Sequence, residues 1–119
     1  EFIPKQKQEI FQIKSVRGSD AKGQSTSEGF VVFKGSKASS STVSSISPSF
    51  IKLKQLLVDK GILILNGDVY EFVEDYIFSS PSSAAVMVMG RNANGLLEWK
   101  LPNGTTLKEF ESNDKNNVA

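Results

Sequence analysis

The segment FSSPSSAAVMVMGRNANGLLEWK, Phe78 to Lys100, decides how the chain is read, because its six consecutive apolar residues fit either a buried helix or a strand. Ser80 is a good N-cap, Pro81 suits the first helical position, where its missing N–H is not needed, and Gly90 supplies a left-handed stop. Val86 to Met89 could continue as a strand, but the Ser-Pro-Ser start and the pair Ala84 and Ala85 favour a short helix. Apolar on every side, such a helix is expected in the core. After it, Arg91 stands between the helix end and a loop carrying Asn92 and Asn94, followed by the chain's one Trp, Trp99.

Upstream, Glu9 to Val16 alternates Ile10, Gln12 and Lys14 against Phe11 and Ile13, and Gly29 to Lys34 is a short β-branched and aromatic run, so both read as strands. Residues Arg17 to Glu28 between them read as a long polar loop, and the Ser-rich stretch after Gly35 as a connection of low propensity. The segment SPSFIKLKQLLVDKG predicts a second helix, capped by Ser47, started by Pro48 and stopped at Gly61. Its Phe50, Leu53, Leu56 and Leu57 repeat at three and four and are expected to be buried, with Lys52, Gln55 and Asp59 toward water. ILILNGDVYEF is a hairpin turning at Asn66 and Gly67. LLEWKL and TTLKEF around Pro102, Asn103 and Gly104 read as another hairpin, which makes a weak helix–hairpin repeat. The expected fold is a small α+β domain, mostly antiparallel sheet with two helices, spanning residues 9–110 between loose tails at 1–8 and 111–119.

With 119 residues, 39% apolar and 23% charged, one core is expected. The chain starts without Met and is expected to be a piece of a longer polypeptide, with Glu1 and Phe2 read as left by cloning. Cys and His are absent, which removes disulfides, thiolate nucleophiles, typical zinc sites and imidazole bases. AAVMVM is far shorter than a membrane span of roughly 18 apolar residues, so a soluble, cytoplasmic location without membrane contact is expected. The net charge of +1 conceals an excess of +5 from Glu1 to Lys60 and −4 from Gly61 to Ala119. That asymmetry fits either a basic face toward an anionic partner or two halves that attract each other.

Glu98-Trp-Lys100 matches the tail of a restriction-endonuclease active-site pattern, with Asp68 or Asp75 as the earlier carboxylate, because on a strand Glu98 and Lys100 share a face. The plain alternative is an amphipathic strand with a cross-strand ion pair to a residue such as Lys108 or Glu109. Glu71, Glu74 and Asp75 could hold a divalent cation but lack the spacing of a known loop and read as a solvated edge. Arg91 either satisfies carbonyls at the helix end or, with the asparagines, reads a base. Trp99 reads as core, the alternative being a stacking surface. KGSKASSS, Lys34 to Ser41, offers lysines, hydroxyls and backbone amides to a phosphate, as a solvated loop also would.

Several strings in one order carry a family resemblance: F-x-V-x-K-G-S-x-A from Phe30, Y-x-F-x-x-D-Y-x-F-S-S-P-S-x-A-A from Tyr70, and N-G-x-x-x-W-K from Asn94. Over about Phe30 to Leu107 the chain resembles the small domain of unknown function found near the C-terminus of some GIY-YIG nuclease proteins and in restriction- and modification-linked proteins. The SPS-x-AA and NG-to-WK shape is also distantly similar to the restriction-enzyme adenine-methylase-associated domain. Leu96 and Leu97 stand where a second Trp or another bulky polar residue is expected, and no GIY or YIG string occurs. The resemblance implies a prokaryotic accessory module rather than a catalyst, tethered to the rest of a larger polypeptide, and carries over no catalytic residue, cofactor or metal. The expected partner is nucleic acid, weakly held, with Lys34, Lys37, Lys52 and Lys54 on phosphates and Arg91, Asn92, Asn94 and Lys100 near the target. A protein-interaction module is the rival reading.

Overall fold

The computed structural model describes residues 9–15, 18–43 and 45–116, with side chains to Ser112. The tail expected at 1–8 and the last three residues of the tail expected at 111–119 lie outside the described residues. Among the described residues seven strands form one antiparallel sheet: β1 (Phe11–Lys14), β2 (Asp20–Thr26), β3 (Gly29–Val32), β4 (Lys37–Ser39), β5 (Leu63–Asn66), β6 (Val69–Phe72) and β7 (Tyr76–Phe78). Four helices within the same residues accompany it: α1 (Pro48–Asp59), α2 (Pro81–Met89), α3 (Gly95–Glu98) and α4 (Leu107–Asn116). The α+β class with a mostly antiparallel sheet is as the sequence predicts, with four helices in place of two.

β2 organises the sheet. Asp20 pairs with Lys14 and Lys37, and Gly23 with Phe11 and Val32, so β1 takes one edge of β2 while β3 and β4 share the other in succession. β7 and β6 line up against β3 and β4, and β5 closes that side. The ladder breaks at Phe33–Ser36, where Lys34 and Gly35 bulge out. Ser36 Oγ accepts from Lys22 N at 3.0 Å and donates to Lys22 O at 3.3 Å, replacing a missing backbone pair. Gly35 N donates to Phe72 O and Phe72 N to Ser36 O, which carries the same kink into the break between β6 and β7.

Two expectations fail here. The polar loop read at Arg17–Glu28 contains β2, and the Ser-rich connection contains β4. Both strands carry small inward residues, Ala21, Gly23 and Ala38, where large aromatics fill the space beyond them; a Cβ on Gly23 would collide with the Phe30 ring. The hairpin at 63–72 forms, but its two-residue loop is Gly67-Asp68, with positive φ at Gly67 (67°) and Asn66 still in the strand.

α2 lies over the inner face of β2, β3, β4 and β7, and Ala84 to Met89 are all buried, as expected of an all-round apolar helix. Ser80 Oγ accepts from Ser83 N, and Gly90 closes the helix at φ 72°. α1 starts at Pro48 behind Ser47 and covers the β5 side, with Leu57 buried and Phe50 and Leu53 partly so. Leu56, expected inside, is 45% exposed, because α1 meets its neighbours along a narrow stripe.

The second hairpin is absent. Asn94 caps α3 through Leu96 N, and Lys100 makes only isolated bridges to Gln12 and Thr106. Thr106 and Glu109 form a reciprocal cap that starts α4, Thr106 Oγ1 accepting from Glu109 N at 3.1 Å and Glu109 Oε1 from Thr106 N at 3.0 Å. The helix–hairpin repeat therefore stops at its second half, and α4 runs across the expected tail boundary to Asn116. Trp99 is fully buried, 4.6 Å from Phe30 between ring centroids, and its Nε1 donates to Pro81 O. Among the described residues no helix is long and apolar enough to cross a membrane.

Candidate functional site

The outer face of the sheet carries the chain's charged rows. Residues paired across a sheet point the same way, so the bridge Lys100–Gln12 and the pair Gln12–Lys22 make one row, and Lys14–Asp20–Lys37–Glu71 the next. From strand spacing, Lys100 and Lys22 stand about 10 Å apart, as do Lys14 and Lys37, with about 7 Å between the rows. Lys14, Lys22, Lys37 and Lys100 are all exposed. Against them stand Asp20, also exposed, and Glu71, whose Oε1 accepts from Asn66 Nδ2 at 3.2 Å. Lys34 sits in the bulge at the level of Lys22. A polar hollow of about 240 Å³ opens beside these rows, lined by Gln12, Lys14, Lys100 and Glu98.

Of the eight positions expected from sequence, Lys37 and Lys100 lie on this face and Lys34 borders it, whereas Lys52 and Lys54 are on α1, packed with the helices. Lys52 is exposed. Lys54 is held down: its Nζ donates to Ser39 O at 3.3 Å and Thr42 Oγ1 at 3.4 Å and lies 4.7 Å from the Tyr70 ring centroid. Burial lowers its pKa from the ordinary lysine value. The amides expected to be free along Lys34 to Ser41 are largely occupied: Lys34 N donates to Asp75 Oδ1, Gly35 N to Phe72 O, Ser36 N to Phe33 O and Ser41 N to Ser39 Oγ.

The three polar residues after α2 are engaged locally. Arg91 pairs with Glu98 (3.6 Å) and donates to Asn92 O, rather than to the carbonyls ending α2. Asn92 Nδ2 donates to Ser45 O, and Asn94 Oδ1 caps α3. Trp99 takes the core position, not the stacking surface. Glu98 ends α3 while Lys100 follows in a bridge, so the two do not share a strand face. Glu98 has Arg91 as partner, in place of the cross-strand ion pair to Lys108 or Glu109 expected of a strand carrying Glu98 and Lys100. Asp75 is tied to the Lys34 amide and Asp68 lies in the β5–β6 turn. Among the described residues no three of His, Cys, Asp and Glu come together as a metal-binding group.

Sequence reading missed Lys14 and Lys22 as members of the face. The signal for Lys22 was the alternation Asp20-Ala21-Lys22-Gly23-Gln24, charged or polar outward and small inward, which resembles a loop in composition, and that for Lys14 was its place on the polar side of the strand read at Glu9 to Val16.

Residues 11–111 match the family described as Domain of unknown function (DUF4357), and the chain belongs to it. No curated protein and no solved structure matches the chain.

Proposed function

We propose that this member of a family without assigned activity is an accessory binding module that touches nucleic acid weakly through the outer sheet face, within a prokaryotic nuclease or restriction-linked protein. The observation that carries the reading is the strand register, which gathers Lys14, Lys22, Lys37 and Lys100 on one exposed surface, with Asp20 and Glu71 as the carboxylates in the same rows. The attachment to nuclease or restriction proteins rests on the sequence resemblance alone. A flat array of lysines contacts backbone phosphates without reading bases, so affinity is expected to be micromolar or poorer and independent of sequence.

With three or four phosphates engaged, log affinity for duplex DNA should fall with log salt at a slope of about −3. Replacing Lys22 and Lys100 together by Ala should flatten that slope by about two units, while Lys52→Ala should leave it unchanged. Absence of binding to single-stranded, duplex or methylated DNA and to RNA at about 20 mM salt, where charges are least screened, sinks the proposal.

A protein-interaction module is the second reading, favoured by one observation: the edge strand β5 leaves Ile64 49% and Leu65 56% exposed. Self-association or capture of a protein partner that disappears in Ile64→Lys, without any nucleic-acid binding, would select it.

A further inference from the structure

On the opposite side from the lysine rows, α1, α2 and the connection between β4 and α1 enclose a half-open cavity of about 240 Å³. Its walls are apolar, from Ile46, Phe50, Ile51, Val86 and Met87. Val86 and Met87 are the floor, buried in α2, and Ile51 stands 53% exposed at the rim. The frame is fixed, since Val43 N donates to Gly90 O at 2.9 Å and the Gly90 α-carbon abuts the Ser41 carbonyl with no room for a side chain. A cavity of roughly 150 Å³ holds benzene, so this one accommodates an apolar group of up to about ten non-hydrogen atoms.

One cation faces it. Lys54 lines the cavity, and its ammonium has three N–H donors, of which two go to the neutral oxygens of Ser39 and Thr42. Among the described residues no carboxylate comes within ion-pair distance of it; its remaining neighbour is the π face of Tyr70. A half-buried charge with one donor unspent and no counter-ion favours an incoming anion over a neutral molecule. We propose that this cavity binds a small organic acid, with the hydrocarbon between α1 and α2 and the carboxylate on Lys54 Nζ. The site is separate from the sheet face and does not depend on nucleic-acid binding.

The test is a methyl-resolved NMR titration of the chain with hexanoate, and in parallel with 1-hexanol and hexylamine. Saturable shifts are expected at the Ile46, Val86 and Met87 methyls, with hexanoate bound about tenfold more tightly than hexanol and hexylamine more weakly than either. Lys54→Met should remove the preference for acid over alcohol, and Lys54→Arg should keep it. Ile51→Glu, a change at an exposed rim position, should abolish hexanoate binding with the fold intact. No saturable shift up to about 10 mM hexanoate, or equal affinity of the native protein for acid and alcohol, overturns the proposal. The native comparison stands even if a variant fails to fold.

Discussion

Helices α1 and α2 open on the same three residues, Ser-Pro-Ser, and each is followed by a glycine at positive φ, Gly61 at 77° and Gly90 at 72°. Yet α2 buries six of its residues and α1 only Leu57. The ends of a helix are local chemistry: a hydroxyl for an orphan amide, a ring that needs no donor, a residue without Cβ. Burial depends on the surface a helix meets. α2 crosses the middle of the sheet and carries nothing polar after Ser83, while α1 leans on the β5 side and keeps Lys52, Lys54 and Gln55. The glycines differ likewise. Gly61 faces open space, whereas Gly90 is pressed against the Ser41 backbone.

The sharpest way to break this contrast is to place a charge on each helix. Ala85 is wholly buried, and Ala85→Glu should cost several kcal/mol of a stability of roughly 5–15 kcal/mol, unfolding the domain. Leu56→Glu on α1 should change stability by no more than about 0.5 kcal/mol. Circular dichroism with urea denaturation measures both, and native-like melting of Ala85→Glu would show α2 to be a surface helix. Next come the stops. Alanine at either glycine costs about 1–2 kcal/mol for left-handed backbone, and Gly90→Ala should cost at least about 1 kcal/mol more than Gly61→Ala because Ser41 must move. Equal losses would mean that the contact at Gly90 yields freely. The caps give a smaller effect. Ser80→Ala should lose about 1 kcal/mol and Ser47→Ala less, since Ser80 Oγ meets its amide at 3.1 Å and Ser47 Oγ at 3.4 Å.

The smallest effect is a pH dependence on α1. Burial lowers the Lys54 pKa below 10.5, so the folded state holds that proton less tightly than the unfolded chain. Between the lowered value and 10.5 the unfolded state binds more protons, and stability should rise with pH across that window; below it the cost of burying the charge is fully present. Urea midpoints at successive pH values should show a component of this rise that Lys54→Met lacks.

What was legible in the sequence was whatever is decided within a few residues. Both Ser-Pro-Ser helices formed where the local chemistry placed them, and the expected hairpin formed with its turn one residue later, at Gly67-Asp68. β2 and β4 were obscured because a strand facing large aromatics needs small residues, and Ala21, Gly23 and Ala38 lack the β-branched signature of a strand. At the C-terminal end two local signals competed. Asn103-Gly104 suggested a hairpin, while Thr106-Leu-Lys-Glu109 is a capping box, and the box prevailed because Leu107 and Phe110, three apart, reach the core from one helical face. The candidate face was half legible. Lys37 and Lys100 could be chosen as exposed cations, but their company with Lys14 and Lys22 is a property of strand register between distant segments.

Trp99 has a practical consequence. It is the one indole in the chain, shut away from solvent against Phe30 of β3 and hydrogen-bonded to Pro81 at the head of α2. The chain therefore carries its own optical reporter at the seam between sheet and helices. Its emission should be blue-shifted in the native state and move to the red when that seam opens, so fluorescence follows the docking of α2 onto the sheet without any label.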